Sequence, residues 1–221
     1  MKLRLGPLFA CLMFAQTPTV LADDKPPAAA DLLFETPQLT NTKPGEMLDY
    51  SYSQKSADPA KYGPAFDDKI KLAIQEAGHT PDERTVGVDM FSGERRKPAG
   101  PFEDMSGNPV LVLVLENNIQ QLSGLLHANP RFFKTAIRLA LRNAQSEPDK
   151  IEGHDKAWRV EVAPFKDVPE KARMMGLDNL TYVFRVAPDL PGMIYEIDIA
   201  ARDSSGAVLM EERLHYDGKK S

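Results

Sequence analysis

The feature that most restricts the fold of this chain is an alternation of apolar and polar residues, period two, that returns seven times. Leu48, Tyr50 and Tyr52 alternate with Asp49, Ser51 and Ser53. The same beat runs through Ile70, Leu72 and Ile74, and again through Val86, Val88 and Met90. It resumes at Trp158, Val160 and Val162, then at Tyr182, Phe184 and Val186. Met193, Tyr195, Ile197 and Ile199 carry it onward, and Val208, Met210, Leu214 and Tyr216 close the series. Successive side chains of a strand point to opposite faces, so each run predicts a strand with one dry and one wet side. The short polar or Gly-containing links predict antiparallel neighbours.

Between the third and fourth runs the period changes. Asn108-Pro109 and Asn129-Pro130 each place a capping acceptor before a proline suited to the first helical position. After the second, Phe132, Phe133, Ala136, Ile137, Leu139, Ala140, Leu141 and Ala144 share one half of a helical wheel. Val110 to Leu115 reads either as a buried strand or as the start of a helix continuing through Ile119, Leu122 and Leu125. The predicted fold is α+β: a curved antiparallel sheet of about seven strands (three, then two helices, then four) packed on two central helices. No run of alternating strands and helices supports a parallel, doubly wound sheet.

Such a sheet would be roughly 34 Å wide at about 4.8 Å per strand. Two helices about 10 Å across shelter some 20 Å of it. The difference predicts apolar sheet surface that must curl, hold a ligand or meet a partner.

The first 22 residues set the compartment. Lys2 and Arg4 precede an apolar stretch from Leu5 to Val20, and Val20-Leu21-Ala22 presents a cleavage site, so a signal peptide cut after Ala22 and a periplasmic mature protein are expected. Leu8-Phe9-Ala10-Cys11 is a poorer match to a lipid-attachment site, the anchored alternative. No transmembrane segment is expected in the mature chain. Residues 23–45, rich in Pro and Ala, read as a poorly ordered leader, and 46–217 as one domain. The net charge of −5 becomes −7 once Lys2 and Arg4 leave with the signal, which argues against nucleic acid as a partner. Cys11 is the one cysteine, so the mature domain has neither a disulfide nor a thiol nucleophile.

Chemistry-bearing motifs are sparse. His79, His127, His154 and His215 are scattered, and no pair has helical ligand spacing, so neither metal nor cofactor is expected. No nucleophile elbow, phosphate loop or dinucleotide fingerprint occurs. Glu211 and Glu212 point to opposite faces of their strand, which prevents joint acid–base action and turns Glu212 inward. An inward carboxylate is either paired with a cation or raised in pKa. Arg131, Lys134, Arg138 and Arg142 form a basic helical stripe, either a solvated face or a seat for an anion. Gly93-Glu94-Arg95-Arg96-Lys97 is a second basic candidate, and Glu116 interrupts an apolar helix.

Phe91-Ser92-Gly93-Glu94-Arg95-Arg96, Gly107-Asn108-Pro109-Val110, Arg131-Phe132-Phe133-Lys134 and Pro191-Gly192-Met193-Ile194-Tyr195 together resemble a family of exported bacterial proteins of unknown function, over roughly Leu48 onward. These motifs are turns and caps, so the resemblance implies no catalytic residue. At the level of architecture, a curved sheet holding helices is similar to periplasmic lipoprotein carriers. The expected function is a non-catalytic periplasmic binding or accessory protein for an apolar ligand or a partner's apolar segment. A hydrolase with a loop-assembled site and a subunit of an envelope assembly are the alternatives.

Overall fold

A computed structural model describes residues 25–169 and 171–220. The proposed signal peptide lies outside them. Twelve elements follow in order: β1 (Met47–Ser56), α1 (Pro59–Tyr62), β2 (Phe66–Ala77), β3 (Arg84–Met90), β4 (Lys97–Met105), α2 (Pro109–Leu126), α3 (Pro130–Asn143), β5 (Glu147–Asp149), β6 (Ala157–Val162), β7 (Thr181–Val186), β8 (Ile194–Arg202) and β9 (Val208–Lys220). The strands form one open antiparallel sheet in the order β4-β3-β2-β1-β9-β8-β7-β6-β5. Two meanders therefore meet where the first strand pairs with the last, and α2 and α3 connect one sheet edge to the other. The fold is α+β, as expected. None of its helices is long and apolar enough to cross a membrane, among the described residues.

The sheet has nine strands rather than seven, the additions being its two edges. β4 lies in a stretch that reads as a polar loop. Nearly all of it is exposed, so neither face selects apolar residues, and Pro98 and Pro101 suit only an edge. β5 has three residues, too few for a periodic pattern. Val110 to Leu115 is helical, which resolves that ambiguity.

The leader is also different from expectation. From residue 25 to 45 it is part of the core: Ala29, Leu32, Leu33 and Leu39 are buried, and Gln38 is buried with them. The Gln38 amide donates to the carbonyls of Leu32 and Leu33, while its oxygen accepts from the Asn108 backbone N–H at 2.8 Å. Composition rich in Pro and Ala suggested disorder; four apolar side chains with a face to fill outweigh it.

Those side chains change the coverage arithmetic. Most inward residues from β3 across to β6 are buried in one continuous core, with Phe66 and Tyr216 partly buried against it. α2, α3, the leader and the segment bearing Phe165, Met174, Leu177 and Leu180 cover them together. Among the described residues the width mismatch is thus met largely by the chain's own irregular segments, which leave Phe66 partly exposed.

Helix α3 buries Phe133, Ile137 and Leu141, spaced four apart, but leaves Phe132 44% and Leu139 58% exposed. Its apolar half-wheel is wider than the surface that receives it. At the start of α2, Asn108 accepts from Val110 N–H at 3.1 Å and donates to Tyr50 Oη at 3.0 Å and to the Gly192 carbonyl at 2.9 Å. The α3 cap, Asn129, is exposed and accepts from Arg131 N–H alone. Asn108→Ala is therefore expected to cost about 2–3 kcal/mol and Asn129→Ala about 1 kcal/mol, read by urea unfolding.

Candidate functional site

The alternation of β9 turns Met210, Glu212 and Leu214 into the core, and Glu212 is 1% exposed. Its Oε2 accepts from Tyr52 Oη at 2.8 Å and its Oε1 from Asn118 Nδ2 at 2.7 Å. Asn118 Oδ1 in turn accepts from Tyr182 Oη at 2.8 Å. The chain Tyr52–Glu212–Asn118–Tyr182 ties β1, β9, α2 and β7 together. Among the described residues no cation pairs with Glu212. Burial pushes its carboxyl above the ordinary range, against the hydrogen bonds from Asn118 and Tyr52. Burial, with the nearby Glu212 charge, likewise pushes the Tyr52 and Tyr182 phenols up.

All four of these side chains are buried, and every polar atom of the carboxylate is engaged, so no substrate reaches the carboxyl. The cluster acts as a clasp between sheet and helix. Glu211 faces the other way, as the alternation requires. There Lys55 Nζ at 2.7 Å, Arg202 at 3.6 Å and Arg213 at 3.7 Å surround it on the outer sheet face. The two glutamates share no partner.

The basic stripe lies on the exposed side of α3, apart from Glu212. Lys134 pairs with Glu116 of α2 at 3.4 Å. Arg131, Arg138 and Arg142 are exposed, and nothing brings them together around a cavity. The structure thus converges neither group of sequence-predicted residues into a reactive site.

A groove that sequence reading located only in part offers a better site. It has a volume near 610 Å³ and lies between the Gly63-Pro64 turn, the 91–97 loop and the flank of α2. Phe66 and Phe91 make its aromatic wall, in edge contact at 5.6 Å, and Tyr52 packs behind them 4.9 Å from Phe91. Phe91 holds a φ of 64°, in the left-handed region that an aromatic residue occupies only at a cost of about 1–2 kcal/mol.

Cations rim the groove. The Arg95 guanidinium lies 4.7 Å from the Phe66 ring and pairs with Asp68 at 3.3 Å. Arg96 pairs with Asp89 at 2.6 Å. Lys97 Nζ lies 5.8 Å from the Phe91 ring and donates to Asn117 Oδ1 at 3.2 Å, so its nearest partners are neutral. Gln121, on the same wall, keeps its side-chain oxygen buried without a donor. Apolar walls and a cation that pairs with no carboxylate among the described residues are what an amphipathic anion would satisfy.

A second cavity of about 450 Å³ opens between the end of α2, the start of α3 and Val168, Pro169, Arg173 and Met174. Leu126, Phe132, Phe133 and Met174 line it, but no side chain there has an orphaned polar atom among the described residues. It ranks second for that reason. The 93–97 basic run was the one signal of the groove in the sequence. Phe66, Asn117 and Gln121 come from distant segments and carried none. No known family model and no curated protein matches this chain.

Proposed function

We propose that this chain is an exported, periplasmic, non-catalytic binding protein. Its sheet curves over two helices, and its groove beside Phe66 and Phe91 holds an apolar ligand bearing an anionic group. The observation that carries the reading is Lys97, a cation at the mouth of an aromatic groove that pairs with no carboxylate among the described residues, Glu94 being the one acidic side chain of the lining. The sealed Glu212 clasp favours a binding role over a hydrolytic one, since the strongly perturbed carboxyl is out of reach.

Native mass spectrometry of protein taken from its own envelope is expected to show a small-molecule adduct that organic extraction removes. Titration with dodecanoate is expected to saturate, and Lys97→Glu to weaken binding about tenfold or more, equivalent to about 1.4 kcal/mol. A partner protein recovered in place of the small molecule would move the reading to the envelope-assembly alternative. Unchanged affinity in Lys97→Glu would remove the groove as the site.

A further inference from the structure

The turn between β2 and β3 carries a grouping that lies away from the groove. His79 and Glu83 come from this turn, and Asp104 comes from the neighbouring edge strand β4. One donor atom from each, an imidazole nitrogen and two carboxylate oxygens, lies within 4.8 Å of the other two. Among the described residues this is the one grouping of its kind. A shallow depression of about 350 Å³ beside it is lined by His79 and Asp104, together with Glu76, Glu103 and Thr85, with no lysine or arginine, and Glu83 lies just outside that lining. Arg84, the nearest arginine in sequence, spends its guanidinium on the carbonyls of Thr40, Thr42, Pro81 and Glu83. The carboxylates of the depression therefore face one imidazole and no permanent cation.

The donors are held before any ion arrives. His79 Nδ1 sits 2.7 Å from Asp104 Oδ1, which also accepts from the His79 backbone N–H at 3.1 Å. Glu83 Oε2 accepts from Thr80 N–H at 3.0 Å. Backbone bonds of this sort fix the direction of a ligating carboxylate. Gly78 lets the turn close, because a Cβ there would run into Glu83 and come within 3.0 Å of Asp104 Oδ1. Metal–donor bonds near 2.0–2.2 Å would draw these three atoms onto a common centre and replace the direct His79–Asp104 contact.

We propose that His79, Glu83 and Asp104 bind a divalent transition cation, zinc being the natural fit to one imidazole and two carboxylates. The ion would fasten the exposed edge strand β4 to the β2–β3 turn. Its effect would be local order in β4, and water would complete its coordination. The sequence did not disclose this set, because Asp104 lies 21 positions beyond Glu83 in a strand with no periodic signature.

Calorimetric titration of the purified chain with zinc chloride tests it. One ion per chain is expected, with affinity reduced about tenfold or more in both His79→Ala and Asp104→Asn. His127→Asn, which removes an exposed imidazole elsewhere, is expected to bind like the unaltered chain. Hydrogen exchange gives an independent reading: zinc should slow the amides of 97–105 in the unaltered chain and not in His79→Ala. All three side chains are partly or fully exposed, so these variants keep the fold. No saturable binding, equal binding by His79→Ala and Asp104→Asn, or loss in His127→Asn alone would overturn the proposal.

Discussion

Glu212→Ala is expected to lower the unfolding free energy by about 3–5 kcal/mol. The substitution leaves a void in a filled core and strips Asn118 Nδ2 and Tyr52 Oη of their acceptors. Glu212→Gln keeps the volume and is expected to cost far less at neutral pH, because it never has to carry a buried charge. The sign with pH follows from the raised carboxyl pKa. An acid whose folded pKa lies above its unfolded value binds more protons when folded. Its contribution is fully present below the unfolded value, near 4.5, and is lost as pH rises through the folded one. The stability of the unaltered chain relative to Glu212→Gln should therefore fall as pH rises above about 4.5. Urea unfolding of both chains across that range measures it, and parallel curves would mean that Glu212 titrates normally.

The second large effect concerns the segment that composition suggests is a loose leader. Leu33→Ala and Leu39→Ala are each expected to cost about 2–4 kcal/mol, since both side chains are buried in the main core. Together they approach the whole stability of an ordinary domain, about 5–15 kcal/mol. The double variant should be largely unfolded in dilute buffer by circular dichroism. A leader that merely trailed from the domain would show changes within about 0.5 kcal/mol at both positions.

Much of the sheet was legible, for a specific reason. Tyr50, Ile70, Val88, Val160, Phe184, Ile197 and Leu214 all sit on strands with one buried and one polar face, and period two reports that asymmetry directly. Asn108 and Asn129 announced both helices through their caps. Inward Glu212 followed from the same alternation. Where the signal depends on a buried face, it vanishes when there is none, as in β4, and the three residues of β5 are too few to show it. Asn118 was unreadable for the opposite cause: a polar side chain on the buried face of α2 makes sense only once Glu212 and Tyr182 are brought across from β9 and β7.

The coverage argument behind the functional expectation failed at an identifiable step. Only helices were counted as cover for the sheet, so Leu32, Leu33, Leu39, Phe165 and Leu177 were not credited with shelter they provide. The proposed binding groove is built by Phe66, Phe91, Lys97, Asn117 and Gln121, drawn from β2, the loop after β3, the first position of β4, and α2. Of these, the basic run alone is visible along the chain, because the others meet only through tertiary structure.

The account holds that the exposed groove binds and the buried carboxyl does not. Dodecanoate titrated in parallel against the unaltered chain, Glu212→Gln and Lys97→Glu sets the two directly against each other. Matching affinities for the first two, with a loss of about tenfold or more in the third, is the predicted result. Binding abolished in Glu212→Gln and retained in Lys97→Glu would contradict it.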